Sequence, residues 1–192
     1  MSDALAIAAT TLEYLTRHPE ENVRLEPFLQ FLEGTAPGLY ADRHQPVGHV
    51  TTSGFLVSEK GDTLLLIYHL KLGRFLQPGG HVEQDASLLA SALREIHEEV
   101  GLSPERLILC QPDHTPIDID PHRIPERKGQ PGHWHFDFRY LFRVDSHEMG
   151  KIQHQADEVA RPAWFAWDAP EVIALLPTPL AGRLRSAFDA HR

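Results

Sequence analysis

Cysteine is nearly absent from this chain: Cys110 stands alone among 192 residues. An internal disulfide is therefore excluded, which agrees with a reducing compartment, and the thiol is expected to be a small buried apolar group. Long hydrophobic runs are missing as well. No apolar stretch approaches the ~20 residues of a bilayer-spanning helix, and the opening MSDALAIAATTLEYL lacks the basic leader of a secretory signal. The expectation is a cytoplasmic protein with no membrane partner. Basic residues are in deficit, with Lys and Arg at 18 against 27 Asp and Glu, for a formal net charge of −9. Such a field repels polyanions, so non-specific nucleic-acid binding is not expected, and a polyanionic ligand would need cations bound locally by carboxylates. Histidine is plentiful, at thirteen, but no Cys or His spacing matches a zinc pattern, and no structural zinc site is expected.

What is present suits one globular domain with appended helices: 42% of residues are hydrophobic and 23% charged. Two segments, LAIAATTLEYL and LEPFLQFL, repeat apolar residues at helical spacing and are separated by HPEE. They define an N-terminal helical extension over residues 1–45, read as a hairpin covering one side of the core, with a homodimer arm or a lid as alternatives. From His49 the period changes to that of strands. HVTTSGFLV and TLLLIYHL flank the turn SEKGD, and RLILCQ, PIDIDPHRI, HWHFDFRYLFRV and ARPAWFAWD follow. APEVIALL and LAGRLRSAFDAH close the chain as helices. Strands interleaved with helices predict an α/β fold over residues 46–192.

The chemistry concentrates in GGHVEQDASLLASALREIHEEVGL, residues 79–102. At about 100° per residue, Leu89, Leu93, Ile96 and Val100 share one flank of a helix, and Glu95, Glu98 and Glu99 share the adjoining arc. Like charges at these spacings repel, so an opposing charge from outside the chain is the simplest reason to collect them. Arg94, four residues before Glu98, is placed to orient a carboxylate without neutralising the cluster. Asp85 or Ser87 would cap the helix start, and Gly101 would end it in a left-handed conformation. Hard divalent cations prefer oxygen ligands, and Mg²⁺ typically takes one or two carboxylates along with waters and phosphates.

Gly80, Arg94, Glu95, Ile96, Glu98, Glu99, Gly101 and Leu102 resemble the Nudix signature, G-x5-E-x7-R-E-U-x-E-E-x-G-U with U a bulky aliphatic. One position departs: Ala86 stands where the pattern has its first Glu, with Glu83 and Asp85 close by as displaced acids. The resemblance implies an α/β/α sandwich with a mixed sheet. It also implies hydrolysis of a nucleoside diphosphate linked to another moiety. Glu95, Glu98 and Glu99 would hold Mg²⁺ or Mn²⁺ with a backbone carbonyl at Gly79 or Gly80, and Arg94 would orient a carboxylate. The general base falls to Glu95, Glu98 or the downstream Glu158.

Substrate contacts are sought among the remaining polar residues. HWHFDFRY alternates, with Trp134, Phe136, Phe138 and Tyr140 on one side and His133, His135, Asp137 and Arg139 on the other. The aromatic side is expected in the core, leaving His135, Asp137 and Arg139 as candidates facing a cleft. Arg74 and His81 flank the diphosphate position implied by the resemblance, with Lys71 and Phe75 nearby. The proline-rich loop over residues 112–132 offers His122, Arg123, Arg127 and Lys128. The favoured substrate is a small nucleotide, either a nucleoside diphosphate sugar or a nucleoside triphosphate. Two alternatives stand beside it: a catalytically silent nucleotide sensor, to which Ala86 points, and an isoprenoid diphosphate isomerase, suggested by fold analogy.

Overall fold

Two short helices begin the chain because apolar residues recur at helical spacing on either side of a proline. The computed structural model describes residues 3–111, 113–127, 131–150, 152 and 159–191. Helix α1 (Asp3–Arg17) ends before a single 3₁₀ turn at Pro19–Asn22, where the ring of Pro19 removes a backbone donor, and α2 (Glu26–Gly34) follows. Ile7, Tyr14, Leu25, Phe28 and Phe31 are all buried in the same core cluster as Phe136 and Phe138. The Phe28 ring lies 4.7 Å from that of Phe136 and 5.6 Å from that of Phe138, distances typical of attractive aromatic pairs. The hairpin therefore covers one side of the core.

The strands are β1 (Gly48–Ser58), β2 (Thr63–His69), β3 (Arg74–Leu76), β4 (Gly79–His81), β5 (Leu107–Leu109), β6 (Asp118–Ile124), β7 (His133–Val144) and β8 (Val159–Ala166). Their central path runs β3-β2-β1-β7-β5, with β4 beside β1, β6 beside β7 and β8 beside β2. Strands β1 and β7 pair in parallel along their whole length, from Gly48 opposite Trp134 to Ser58 opposite Val144, and the other pairings are antiparallel. The sheet is thus mixed. The remaining helices are α3 (Leu88–Val100), α4 (Ser146–Met149), α5 (Pro170–Leu175) and α6 (Thr178–Asp189).

Strand alternation sorts the core into two layers. Val50, Leu56, Phe136 and Phe138 pack with α2 and with Leu88, Ala92, Ile96 and Val100 of α3. Phe55, Val57 and Leu141 pack on the opposite face against Val172, Leu176, Leu180, Leu184 and Phe188 of α5 and α6. The result is an α/β/α sandwich with an N-terminal helical layer. Cys110 is buried, and burial pushes its thiol up to about 11, so it acts as a small apolar group. No helix among the described residues is long and apolar enough to cross a membrane.

The structure adds elements that periodicity did not reveal, because three- and four-residue elements are too short to show a period. Arg74–Leu76, Gly79–His81 and Ser146–Met149 are ordered segments. Gly79 and Gly80 lie in a strand, opposite Ser53 and Thr52 of β1, rather than in a plain turn.

Candidate active site

Helix α3 is held at both ends by its own sequence. The Ser87 hydroxyl accepts the Ala90 amide at 3.1 Å, and Gly101 closes the helix at φ 73° with its amide on the His97 carbonyl. Leu88, Ala92, Ile96 and Val100 anchor one face in the core. The arc bearing the acids is thereby fixed at the rim of the sheet. Close approach to β1 depends on Gly54, where a β-carbon would sit 2.6 Å from Cδ1 of Ile96.

Arg94 organises this rim. Its Nη1 donates to Oε1 of Glu95 at 2.9 Å and to Oε2 of Glu98 at 3.0 Å. Its Nε reaches Oδ1 of Asp85 at 3.1 Å, and its Nη2 reaches Oδ2 of Asp85 at 3.1 Å and the His81 carbonyl at 2.8 Å. One guanidinium thus ties the β4 backbone to three carboxylates, and a single nitrogen draws Glu95 and Glu98 together. Asp85, the chain neighbour of Ala86, thus gives Arg94 a carboxylate partner. Burial alone would raise the Asp85 carboxyl, but the Arg94 fork holds it below the ordinary carboxylate range.

The glycines fit their surroundings tightly. A β-carbon on Gly80 would stand 2.6 Å from the carboxyl carbon of Glu95, and one on Gly79 would stand 2.5 Å from the Thr52 carbonyl oxygen. The Glu95 carboxylate therefore rests against bare backbone. Burial pushes its pKa above the ordinary value despite the pull of Arg94. Glu98, whose side chain is 53% exposed, opens toward solvent. Glu99 turns to β4 and accepts the Gly79 amide at 2.9 Å. This all-oxygen donor set suits a hard divalent cation. Glu95 and Glu98 supply a two-carboxylate edge, and Glu99 also holds the strand through the Gly79 amide. Among the described residues the three glutamates do not close into a three-ligand group.

The polar side of β7 behaves differently from the expectation of an open cleft. Asp137 and Arg139 are 5% and 9% exposed. Asp137 accepts from Ser53 at 2.7 Å, Thr51 at 3.2 Å, Gln77 at 3.3 Å and Arg139 at 3.1 Å. Arg139 also donates to Asp118 at 3.3 Å and Asp120 at 2.5 Å, and Arg24 reaches Asp118 at 2.7 Å. These two residues form an internal network rather than a substrate-facing pair, because β6 and the N-terminal segment cover them. His122 joins through Asp120 at 3.0 Å.

His81 and His135 meet elsewhere, beside His49. The ligand nitrogens of His49, His81 and His135 lie within 4.8 Å of one another. His133 adds its Nε2 at 3.3 Å from Nε2 of His135. Burial, with the neighbouring imidazoles, drops His49 to about 3 and His135 to about 2, so both rings are neutral. Zinc-type sequence spacing missed this convergence. The three residues come from β1, β4 and β7, and only the HWH alternation on β7 hinted at it. Arg74 is exposed on β3, and Phe75 packs between Tyr68 and Phe165. Arg123 lies over the Trp134 ring at 5.3 Å, and Arg127 donates to the Lys71 carbonyl at 3.0 Å. Glu158 and Lys128 lie outside the described residues.

The fold is a mixed-sheet sandwich whose rim carries an arginine-clamped acidic helix, and comparison with known proteins gives its family. The chain belongs to the NUDIX domain family, whose model matches residues 48–188. A curated relative, the "Probable DHNTP pyrophosphohydrolase" of Lactococcus lactis subsp. cremoris (strain MG1363), is 36% identical over 91 residues. That match covers 46% of this chain and spans about half of the relative, 51%. Among solved structures, a NUDIX-family hydrolase from Clostridium perfringens superposes with a TM-score of 0.52 at 22% identity, covering 75% of this chain and 98% of that one. A C. elegans Ap4A hydrolase complex matches with a TM-score of 0.52 at 18% identity, covering 74% and 98%. These structural likenesses establish the fold.

Proposed function

We propose that this chain is a metal-dependent pyrophosphohydrolase that cleaves the diphosphate of a small nucleotide, either a nucleoside triphosphate or a nucleoside diphosphate sugar. The observation that carries the reading is the shared Arg94 nitrogen, which gathers Glu95 and Glu98 into one anionic edge against the bare backbone of Gly80. The name of the Lactococcus lactis relative supports the reaction class. In this reading Glu95, Glu98 and Glu99, with a backbone carbonyl at Gly79 or Gly80, would hold Mg²⁺ or Mn²⁺. When bound, the cation offsets the charge of the diphosphate and makes a water more acidic.

The chain's own groups do the rest. Arg94 holds one oxygen of each glutamate, which limits reorganisation when substrate arrives. Glu99 positions β4 through the Gly79 amide. Glu95 or Glu98 accepts the proton from the attacking water. Arg74, exposed on β3, contacts phosphate. The residues 1–45 serve as a structural layer on a domain that begins near residue 46.

The test is a panel of nucleoside triphosphates and nucleoside diphosphate sugars incubated with the purified protein and Mg²⁺. Release of phosphate, pyrophosphate or a nucleoside monophosphate is expected for at least one member, and absent without the metal. Nucleotide binding with no product across the panel would instead establish a sensor. Asp85 weighs against that alternative, since it supplies the carboxylate that Ala86 removes.

A further inference from the structure

Strand β4 has two faces, and one of them meets α3. Gly80 turns toward Glu95 on the α3 side. His81, the next residue, turns to the opposite side of the strand. There the sheet register brings histidines together from three strands. His49 of β1 lies directly opposite His135 of β7, and Thr51, on the same face of β1 as His49, lies opposite His81 of β4.

The arrangement contains an unmet requirement. His49 is 1% exposed, and among the described residues neither of its ring nitrogens has a hydrogen-bond partner. A buried imidazole in that state pays desolvation without compensation, which folded proteins rarely tolerate unless a ligand or ion completes it. Its ring centroid lies 5.0 Å from that of His81 and 4.6 Å from that of His135. We infer that His49, His81 and His135 form a binding site for a zinc-class divalent cation, separate from the glutamate site.

The donor chemistry selects this kind of ion. Three imidazoles without a carboxylate or thiolate among them suit borderline transition metals and disfavour Mg²⁺ or Ca²⁺. Zn–N bonds of about 2.0–2.1 Å put tetrahedral ligand nitrogens roughly 3.4 Å apart. Ligation requires the ligand nitrogens, now within 4.8 Å of one another, to draw in to that distance. Three protein ligands leave a fourth position for water or a ligand oxygen. His133, bonded to the His135 ring, is an outer partner of the kind that sets ring orientation and tautomer.

The experiment uses full-length protein stripped with a chelator, then titrated with Zn²⁺ by calorimetry and with Co²⁺ by visible spectroscopy. One equivalent should bind, with the intense bands of tetrahedral Co²⁺. The bands should persist in Glu98→Gln. In His81→Gln and His135→Gln, both checked for native fold by circular dichroism, affinity should fall on the order of a hundredfold or more. Absence of stoichiometric uptake would overturn the inference. So would affinity unchanged in both histidine variants, or uptake lost in Glu98→Gln. None of these readouts depends on nucleotide turnover.

Discussion

Replacing Asp85 with Asn is the sharpest probe of the proposed site, because the Asp85 carboxylate braces Arg94 from the side opposite Glu95 and Glu98 while also accepting the Glu83 amide. The carboxylate takes the Nε and Nη2 of Arg94, with side chains 11% and 23% exposed, so solvent screens the pair only partly. Hydrogen bonds to charged groups contribute roughly 1.5–3 kcal/mol each, and Asn keeps one acceptor, so a net loss of about 2 kcal/mol is expected for the clamp. At 1.36 kcal/mol per decade, kcat/KM for a nucleotide cleaved in the presence of Mg²⁺ should fall about tenfold to thirtyfold, with a higher Mg²⁺ requirement. Thermal unfolding should register a smaller drop, since the rim is half-solvated. Adding Ala86→Glu to the Asp85→Asn background puts an acid at the position the Nudix pattern specifies, and should recover most of the loss. An Asp85→Asn enzyme with unchanged kcat/KM and unchanged Mg²⁺ dependence would refute the view that Asp85 stands in for residue 86.

Other outcomes follow from the same geometry. Glu98→Gln should abolish most turnover while leaving the unfolding midpoint nearly unchanged, because the side chain is half-exposed; retained turnover would remove Glu98 from the metal edge. Gly80→Ala places a methyl 2.6 Å from the Glu95 carboxyl carbon. Glu95 must then swing away, and steady-state assays should show at least a tenfold loss in kcat/KM. Phe28→Ala should cost about 3–5 kcal/mol in urea unfolding; a cost below 1 kcal/mol would mean that the N-terminal helices fold apart from the sheet. Asp120 gives a pH signature. Burial would raise its carboxyl, but the His122 hydrogen bond and the charges of Arg139 and Arg24 hold it at about 2, below the unfolded value of about 3.9. Its contribution is therefore present above pH 4 and lost as pH falls toward 2. The stability difference between wild type and Asp120→Asn, on the order of 2 kcal/mol at neutral pH, should shrink across that window in pH-dependent denaturation.

The acidic helix was legible because everything it needs is local. Its apolar stripe, the Ser87 cap, the Gly101 stop and the grouping of Glu95, Glu98 and Glu99 all follow from the helical repeat within one segment. Alternation likewise separated the aromatic face of β7 from the polar one. It could not say what covers the polar face, because a period of two is the same under solvent as under another strand. The carboxylates of β6 and Arg24 enclose Asp137 and Arg139, and those partners arrive from distant parts of the chain.

The sequence by itself determined a mixed α/β domain with an anionic helix rim, since periodicity and caps act over a few residues. Tertiary structure alone decided that Asp85 meets Arg94, that Glu99 faces β4, and that His49, His81 and His135 converge. Each of these depends on strand register and on the path of a loop, which are set by packing across the whole core rather than by neighbours along the chain.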